Sequence, residues 1–315
     1  MTPRRKVNPT PIYRGRFAPS PTGELHLGSL VAALASWLRA RQRQGKWLVR
    51  IEDIDPPREL AGSASSIVAT LDHLGLHADA PVVYQSDRAD AYAAALERLR
   101  DAGHAFPCWC TRADLEAADV VHRDGRCVTA ARDDRAPAWR LRTPDIEIAF
   151  DDILQGPQRQ NVRDAIGDFV LNRADGLWSY QLACVVDDVY QGITEVVRGC
   201  DLLDSTPRQI LLQRLLGLST PAYLHLPLAV DTAGRKLSKS NGAPAVDERD
   251  PRAALARALH FLDQSVPETT DTAAFLDAAA RQFDLSTLRG ATMRTADPIP
   301  NSAARLLHGT NAFQT

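Results

Sequence analysis

The sequence predicts an α/β fold. A parallel sheet is assembled from two halves, with a cysteine-bearing insertion between them and a short helical region behind. Three observations predict it. Up to residue 103, apolar stretches of strand length alternate with amphipathic stretches of helix length, the order that gives parallel strands joined by crossover helices. Between His104 and about Arg159 the rhythm breaks into loop-rich sequence holding Cys108, Cys110 and Cys127. It resumes near Phe169 and gives way to helical spacing after Pro251, so the expected divisions are 1–103, 104–160, 161–245 and 246–315.

Each element has its own signal. Ile12 to Phe17 can be a short first strand, and Leu30 to Arg43 a helix with Leu30, Leu34, Trp37 and Leu38 on one face. Trp47 to Ile51 is a strand, Ser63 to Leu74 a helix, and Pro81 to Gln85 a short strand. Asp87 to Ala102 is an alanine-rich helix with Tyr92, Leu96 and Leu99 at helical spacing. Inside the insertion, Trp139-Arg140-Leu141-Arg142 is strand-like. The second half is expected to resume with the strand Phe169-Val170-Leu171, a helix around Tyr180 to Val186, and the strand Glu195 to Arg198. Asp204 or Ser205 can cap a helix from Pro207 to Leu216, and Leu224 to Val230 is the next strand. Arg252 to Leu262, Thr272 to Phe283 and a short segment from Ser302 read as helices.

Composition narrows the function classes. At 315 residues, with 44% hydrophobic and 24% charged residues, the chain can bury a full core. No apolar run approaches the roughly 18 residues of a membrane span, and the first residues lack the apolar segment of a secretory signal. Five cysteines without an export signal point to the cytoplasm, and to metal binding or free thiols rather than disulfides. A net charge of −2 gives no bulk affinity for nucleic acid, so RNA contacts must come from local patches such as Arg4, Arg5, Lys6, Arg14 and Arg16.

Two motifs carry chemistry. Only four lysines occur among 37 basic residues, yet two of them, Lys236 and Lys239, share the pentapeptide Lys236-Leu237-Ser238-Lys239-Ser240. A chain that otherwise prefers arginine keeps lysine where a compact, mobile ammonium is needed. Flanked by Gly234 and Gly242, this cationic loop suits a polyphosphate whose charge must be stabilised as it leaves. The second motif, Arg16-Phe17-Ala18-Pro19-Ser20-Pro21-Thr22-Gly23, runs into Leu25-His26-Leu27-Gly28-Ser29, where a strand turns into a helix. Free backbone N–H groups and the helix dipole there favour phosphate. The reading is a Rossmann-type nucleotide-binding domain.

His26-Leu27-Gly28-Ser29 and Lys236-Leu237-Ser238-Lys239-Ser240 resemble the two signatures of class I aminoacyl-tRNA synthetases. The segment from Arg16 to Gly23, with Val49-Arg50-Ile51-Glu52-Asp53-Ile54-Asp55, is similar to the glutamyl branch. In length and motif detail the chain resembles the glutamyl-Q tRNA(Asp) synthetase family, truncated paralogues of glutamyl-tRNA synthetase without an anticodon-binding domain. One position departs from the wider class, which often has histidine where this chain has Ser29.

The resemblance implies activation of L-glutamate with ATP and Mg2+, then transfer to the queuosine base at the wobble position of tRNA(Asp). With no domain to read an anticodon at a distance, the catalytic domain is expected to take the anticodon stem–loop itself, and the protein is expected to be a monomer. It implies that Arg16 and Arg198 meet the substrate carboxylates, beside Ala18, Pro19 and Ser20, while Glu52 meets the ammonium and Tyr180 adds a hydroxyl. His26 and Gly28 would hold ATP, and Lys239, assisted by Lys236, the departing pyrophosphate. Arg14, Arg58 and Arg235 are candidate phosphate contacts for RNA.

Cys108, Cys110 and Cys127 suit one structural, tetrahedral zinc, with His122 as fourth ligand or His104 in its place. The family can use a tyrosine a few residues before the last cysteine, and this chain has none there. Cys184 and Cys200 are expected to pack as small hydrophobes. Three rival readings share the sequence: a truncated synthetase charging a tRNA 3′ end, a tRNA-independent amino-acid ligase, and a non-enzymatic zinc-stabilised RNA-binding protein. Only 75 residues follow Ser240, which argues against the first. The two lysines argue against the last.

Overall fold

The computed structural model describes residues 12–230, 235, 245–246 and 249–295. Lys236 and Lys239, and the short helix expected from Ser302, lie outside the described residues. The first half runs β1 (Arg14–Phe17), α1 (Leu27–Gln42), β2 (Lys46–Ile51), α2 (Ser63–His73), β3 (Val83–Tyr84) and α3 (Ala89–Asp101). The three strands form a parallel sheet in the order β1-β2-β3. The helix expected from Asp87 is preceded by a 3-10 turn over Gln85–Arg88.

The middle of the chain contains β4 (Ala105–Cys108), α4 (Arg112–Ala117), β5 (Ala138–Leu141), β6 (Glu147–Asp152), β7 (Gly156–Asn161), α5 (Val162–Ala165) and β8 (Val170–Asn172). Two pairings here differ from the sequence expectation. β6, inside the expected insertion, joins β10 (Ala222–Leu226) in the parallel sheet of the second half, with β7 hairpinned against its outer edge. β8, expected to restart the second half, pairs antiparallel with β5, completing the small sheet β4-β5-β8. Such long-range partners are not encoded in strand-length periodicity.

The remaining elements are α6 (Tyr180–Tyr190), β9 (Glu195–Gly199), α7 (Thr206–Leu215), β10, β11 (Leu228–Val230), α8 (Pro251–Phe261), α9 (Thr272–Gln282) and β12 (Met293–Thr295). β9 and β10 run parallel. Thr194, leading into β9, donates its N–H to the Arg14 carbonyl and accepts the Arg14 N–H on Oγ1, both at 2.9 Å. These bonds bring β9 beside β1 and join the two halves. The strand expected over Leu224 to Val230 is split at Pro227, which has no N–H to give a ladder. Ser205 does not cap α7: its hydroxyl accepts from Gln181 and Arg208, and a 3-10 turn leads directly into the helix.

Successive side chains of the central strands feed two different cores. Leu48, Val196 and Tyr223 pack with α3, α6 and α7, whereas their neighbours Val49, Val197 and Leu224 pack with α1. Alternation of side chains across a sheet covered on both faces explains why these strands read as continuous apolar runs. The C-terminal helices are not an appendage. Leu255, Leu259, Phe275 and Leu276 lie in the same cluster as Leu30, Leu34 and Leu38 of α1. No described helix is long and apolar enough to cross a membrane.

Candidate functional site: a charged cleft and a cysteine–histidine cluster

A cavity of about 800 Å³ opens beyond the carboxyl ends of β1, β2, β9 and β10, where ligands bind in open parallel sheets. Arg16, Ala18, Pro19, Ser20, His26, Gly28, Glu52, Tyr180 and Arg198 all line it, so the described residues singled out for glutamate and ATP converge on one space. The Pro19 carbonyl accepts the Glu52 N–H at 2.9 Å, fixing the segment after β1 against the end of β2.

His26 is the N-cap of α1. Its Nδ1 accepts from the N–H of Gly28 at 3.1 Å and of Ser29 at 3.4 Å, and its Nε2 lies 3.1 Å from Ser29 Oγ. The expectation that these N–H groups stand free for phosphate is therefore corrected, because the imidazole satisfies them itself. Ser29, at the position where the wider class often has histidine, supports His26. Val246 returns to donate to the Leu25 carbonyl at 2.8 Å, and Ala245 forms a bridge with His26. The chain just after Lys236–Asn241 is thus tied to the cavity wall.

Beneath the cavity lies a buried ionic network. Arg16 Nε donates to Asp188 at 3.1 Å, and Arg50 Nη1 donates to the same Asp188 oxygen at 2.8 Å. Arg50 Nη2 reaches Glu52 at 3.2 Å. Two guanidinium groups and two carboxylates balance in charge. Burial alone would raise the Asp188 carboxyl, but Arg16 and Arg50 hold it below the usual range. Burial lifts Glu52 above the usual range against the pull of Arg50 and Arg16. Cys184, expected to be a simple apolar filler, is part of this network: its Sγ accepts from Arg50 at 3.5 Å and faces Asp188 at 3.6 Å. Burial pushes its thiol up to about 12.

Arg198 is organised differently. Its Nη1 donates to Tyr180 Oη at 3.0 Å and Gln209 Oε1 at 2.9 Å, and its Nη2 to Thr206 Oγ1 at 2.8 Å and the Leu202 carbonyl at 3.3 Å. Its Nε donates to His225 Nε2 at 3.0 Å. Every acceptor is neutral. The ion pair with Asp201 or Glu195 that the sequence allows is not formed: Glu195 binds Arg39 and Tyr13, and no described carboxylate lies within ion-pair distance of Arg198. Tyr180 and Leu202 line the cavity, whereas Gln209, Thr206 and His225 grip the guanidinium from behind. Burial and the nearby Arg198 keep His225 below the usual imidazole value despite its bond to Asp152.

Several neighbouring groups play other parts. Asp53 accepts from the N–H and hydroxyl of Ser86, and Asp55 pairs with Arg58. Arg14 holds the Gln191 carbonyl at 3.0 Å from the opposite end of β1, away from the cavity. Arg58 lines the cavity, with an exposed side chain.

The insertion holds the second site. The Sγ atoms of Cys108, Cys110 and Cys127 and a ring nitrogen of His122 all lie within 4.8 Å of one another; His104 is not in the group. His122 Nε2 sits 3.4 Å from Cys108 Sγ and 3.5 Å from Cys127 Sγ. A tetrahedral zinc with ordinary Zn–N and Zn–S bonds places such pairs about 3.5 Å apart, so the donors fit that ion in identity and spacing. His122 Nδ1 is held at 3.0 Å by Asp168, which also accepts from Gly125 and Thr143. A carboxylate on the far nitrogen fixes the ring and raises its basicity as a ligand. That bond leads in lifting His122 to about 9, and Cys108, which burial alone would raise, is drawn down to about 6 chiefly by its bond with His122. Gly167 has a φ of +80°, and a Cβ there would stand 2.2 Å from the His122 carbonyl, so only glycine lets the two segments meet.

Sequence reasoning missed Asp188, Asp152, His225 and Asp168. One signal was present: Asp187-Asp188 interrupts the otherwise apolar run from Leu182 to Val189, and acidic residues on a buried helix face must have cationic partners.

The geometry describes a domain of one class. Residues 13–274 match the family model described as tRNA synthetases class I (E and Q), catalytic domain. Proteins called glutamyl-Q tRNA(Asp) synthetase are similar over most of their length. The one from Xanthomonas oryzae pv. oryzae is 54% identical over 278 residues, 87% of this chain and 92% of that protein. Those from Burkholderia cenocepacia (55% over 291 residues, 87% and 98%) and Cupriavidus metallidurans (53% over 303 residues, 93% and 97%) agree. The chain belongs to this glutamyl-Q tRNA(Asp) synthetase family of class I synthetase-like ligases. A crystal structure of a glutamate tRNA ligase from Elizabethkingia meningosepticum in complex with its amino acid has a TM-score of 0.76 at 26% identity, covering 90% of this chain and 67% of that one.

Proposed function

We propose that this protein activates L-glutamate with ATP, without needing tRNA, and transfers it to the queuosine base at the wobble position of tRNA(Asp). The observation that carries the reading is the convergence on one cavity of the α1 N-terminus, Glu52, and two buried arginines. An amino acid with two carboxylates and one ammonium is complementary to that set. Arg16 and Arg198 receive the carboxylates, Tyr180 adds a hydroxyl beside them, and Glu52 receives the ammonium. His26 and Gly28 form the wall for the ribose and phosphates of ATP, whose Mg2+ enters with the nucleotide. An oxygen of the α-carboxylate attacks the α-phosphorus, the bond from that phosphorus to the bridging oxygen breaks, and pyrophosphate leaves. Lys239 and Lys236 stabilise its charge. No side-chain nucleophile is required, so positioning and charge stabilisation supply the catalysis.

Cys108, Cys110, His122 and Cys127 hold one zinc that fixes the insertion. An ion enclosed by four protein donors leaves no position for activating water, so its role is structural. Arg58, at the cavity rim, is a candidate contact for the anticodon stem–loop.

ATP–pyrophosphate exchange with each amino acid, with and without tRNA, tests the first step. Glutamate alone is expected to support exchange; exchange that appears only with tRNA overturns the tRNA-independent activation. Labelled glutamate is then expected to enter tRNA(Asp) carrying queuosine. Equal labelling of queuosine-free tRNA(Asp), or loss of label when the tRNA 3′ terminus is removed, overturns the acceptor assignment.

A further inference from the structure

We propose that Asp152 and His225 are positioning residues for Arg198: together they hold the guanidinium at the cavity on a neutral acceptor, leaving its charge to be met by a substrate carboxylate. The inference rests on the reading of Arg198 as a carboxylate ligand. Both side chains are completely buried and neither lines the cavity, so both act through Arg198. Asp152 Oδ1 accepts from the backbone N–H groups of Leu154, Gln155 and His225 at 3.0, 2.9 and 3.3 Å. That leaves Oδ2 for His225 Nδ1 at 2.6 Å. A carboxylate only accepts, so Nδ1 carries the ring proton and Nε2 is the acceptor that the Arg198 Nε–H requires.

The consequence is electrostatic as well as geometric. Had the carboxylate touched Arg198 directly, it would offset part of the positive charge that Arg198 presents to a substrate carboxylate. Interposing an imidazole keeps the orientation and moves the negative charge one ring away. The rest of the grip is also neutral, through Gln209, Thr206 and the Leu202 carbonyl.

Asp152→Asn is the discriminating variant. Oδ1 stays with its backbone donors, so an N–H faces His225 Nδ1. The ring proton must then sit on Nε2, opposite the Arg198 N–H, and two donors confront each other. The KM for glutamate in pyrophosphate exchange is expected to rise about tenfold or more, the scale of one misaligned charge-assisted hydrogen bond, while the KM for ATP stays as in wild type. His225→Leu is expected to do the same. His225→Gln, whose Oε1 reaches the acceptor position, is expected to restore most of the glutamate affinity. Unchanged glutamate KM in Arg198→Ala overturns the reading of Arg198. An effect in Arg198→Ala with Asp152→Asn and His225→Leu at the wild-type KM overturns the positioning role alone. Should Asp152→Asn fail to fold, the His225 pair decides: equal KM values for His225→Gln and His225→Leu overturn the proposal.

Discussion

Replacing Asp188 with asparagine keeps the shape of the side chain and removes the charge that two buried arginines share. Arg16 and Arg50 contact one Asp188 oxygen at 3.1 and 2.8 Å, and Arg50 is completely buried. In Asp188→Asn the one carboxylate these two cations retain among the described residues is Glu52, which touches Arg50 alone. Removing one partner of a buried ionic group costs about 3–5 kcal/mol because the remaining charge is neither solvated nor paired. At roughly 2 °C per kcal/mol for a chain of this size, the melting temperature should fall by about 6–10 °C. Urea titration and a thermal melt near pH 7 measure it. The pH dependence supplies a second check. The Asp188 carboxyl is held below its ordinary value in the folded state, so its contribution is complete above the unfolded value of about 3.9 and is lost as pH falls through the folded one. The gap between wild type and variant should close on the acid side. A variant within about 1 kcal/mol of wild type at neutral pH, the range of an exposed ion pair, would refute the reasoning. So would a gap that persists undiminished in acid.

Glu52→Gln, which removes the carboxylate proposed to face the amino-acid ammonium, should raise the KM for glutamate about tenfold in pyrophosphate exchange. Asp168→Asn should weaken zinc about 10–100-fold, measured by competition with a chromogenic chelator, because the ring of His122 loses its carboxylate partner. Buried, neutral His225 has its imidazole held below the ordinary value, so the unfolded chain binds the extra proton first. Its contribution to stability is complete above about pH 6.5 and is lost as pH falls through the folded value; His225→Gln should flatten that part of the urea-measured stability profile.

What could be read from the sequence was local. β1, α1 and β2 follow from short-range patterning, and the residues of the two signatures stand next to one another in the chain. Cys108, Cys110 and Cys127 lie within twenty residues of one another, so their spacing suggested a cluster, whereas the choice between His122 and His104 as its fourth member needed the folded chain. The supports behind these groups come from far away. Asp188 meets Arg16 across 172 residues, and His225 meets Asp152 across 73. No periodicity reports such pairs, and each partner alone reads as an ordinary charged residue. β6 and β8 went to unexpected sheets for the same reason: a short strand advertises its conformation but not its neighbour. His26 was legible as a residue at the phosphate end of α1, but its capping of Gly28 and Ser29 depends on a side-chain direction that only the folded chain defines.

The joining of β1 to the segment before β9 also governs how the chain can fold as it is made. The bond from Arg14 to Thr194 spans 180 residues, and that from Gln42 to Phe283 spans 241. The core around α1 needs Leu255, Leu259, Phe275 and Leu276, which emerge from the ribosome long after Leu30 and Leu34. β1 and α1 therefore wait through most of synthesis with an unpaired strand edge and an uncovered apolar face. Closing contacts of such separation is slow and exposes the early segments to aggregation. The last-made helices thus complete the core into which the first-made helix is packed.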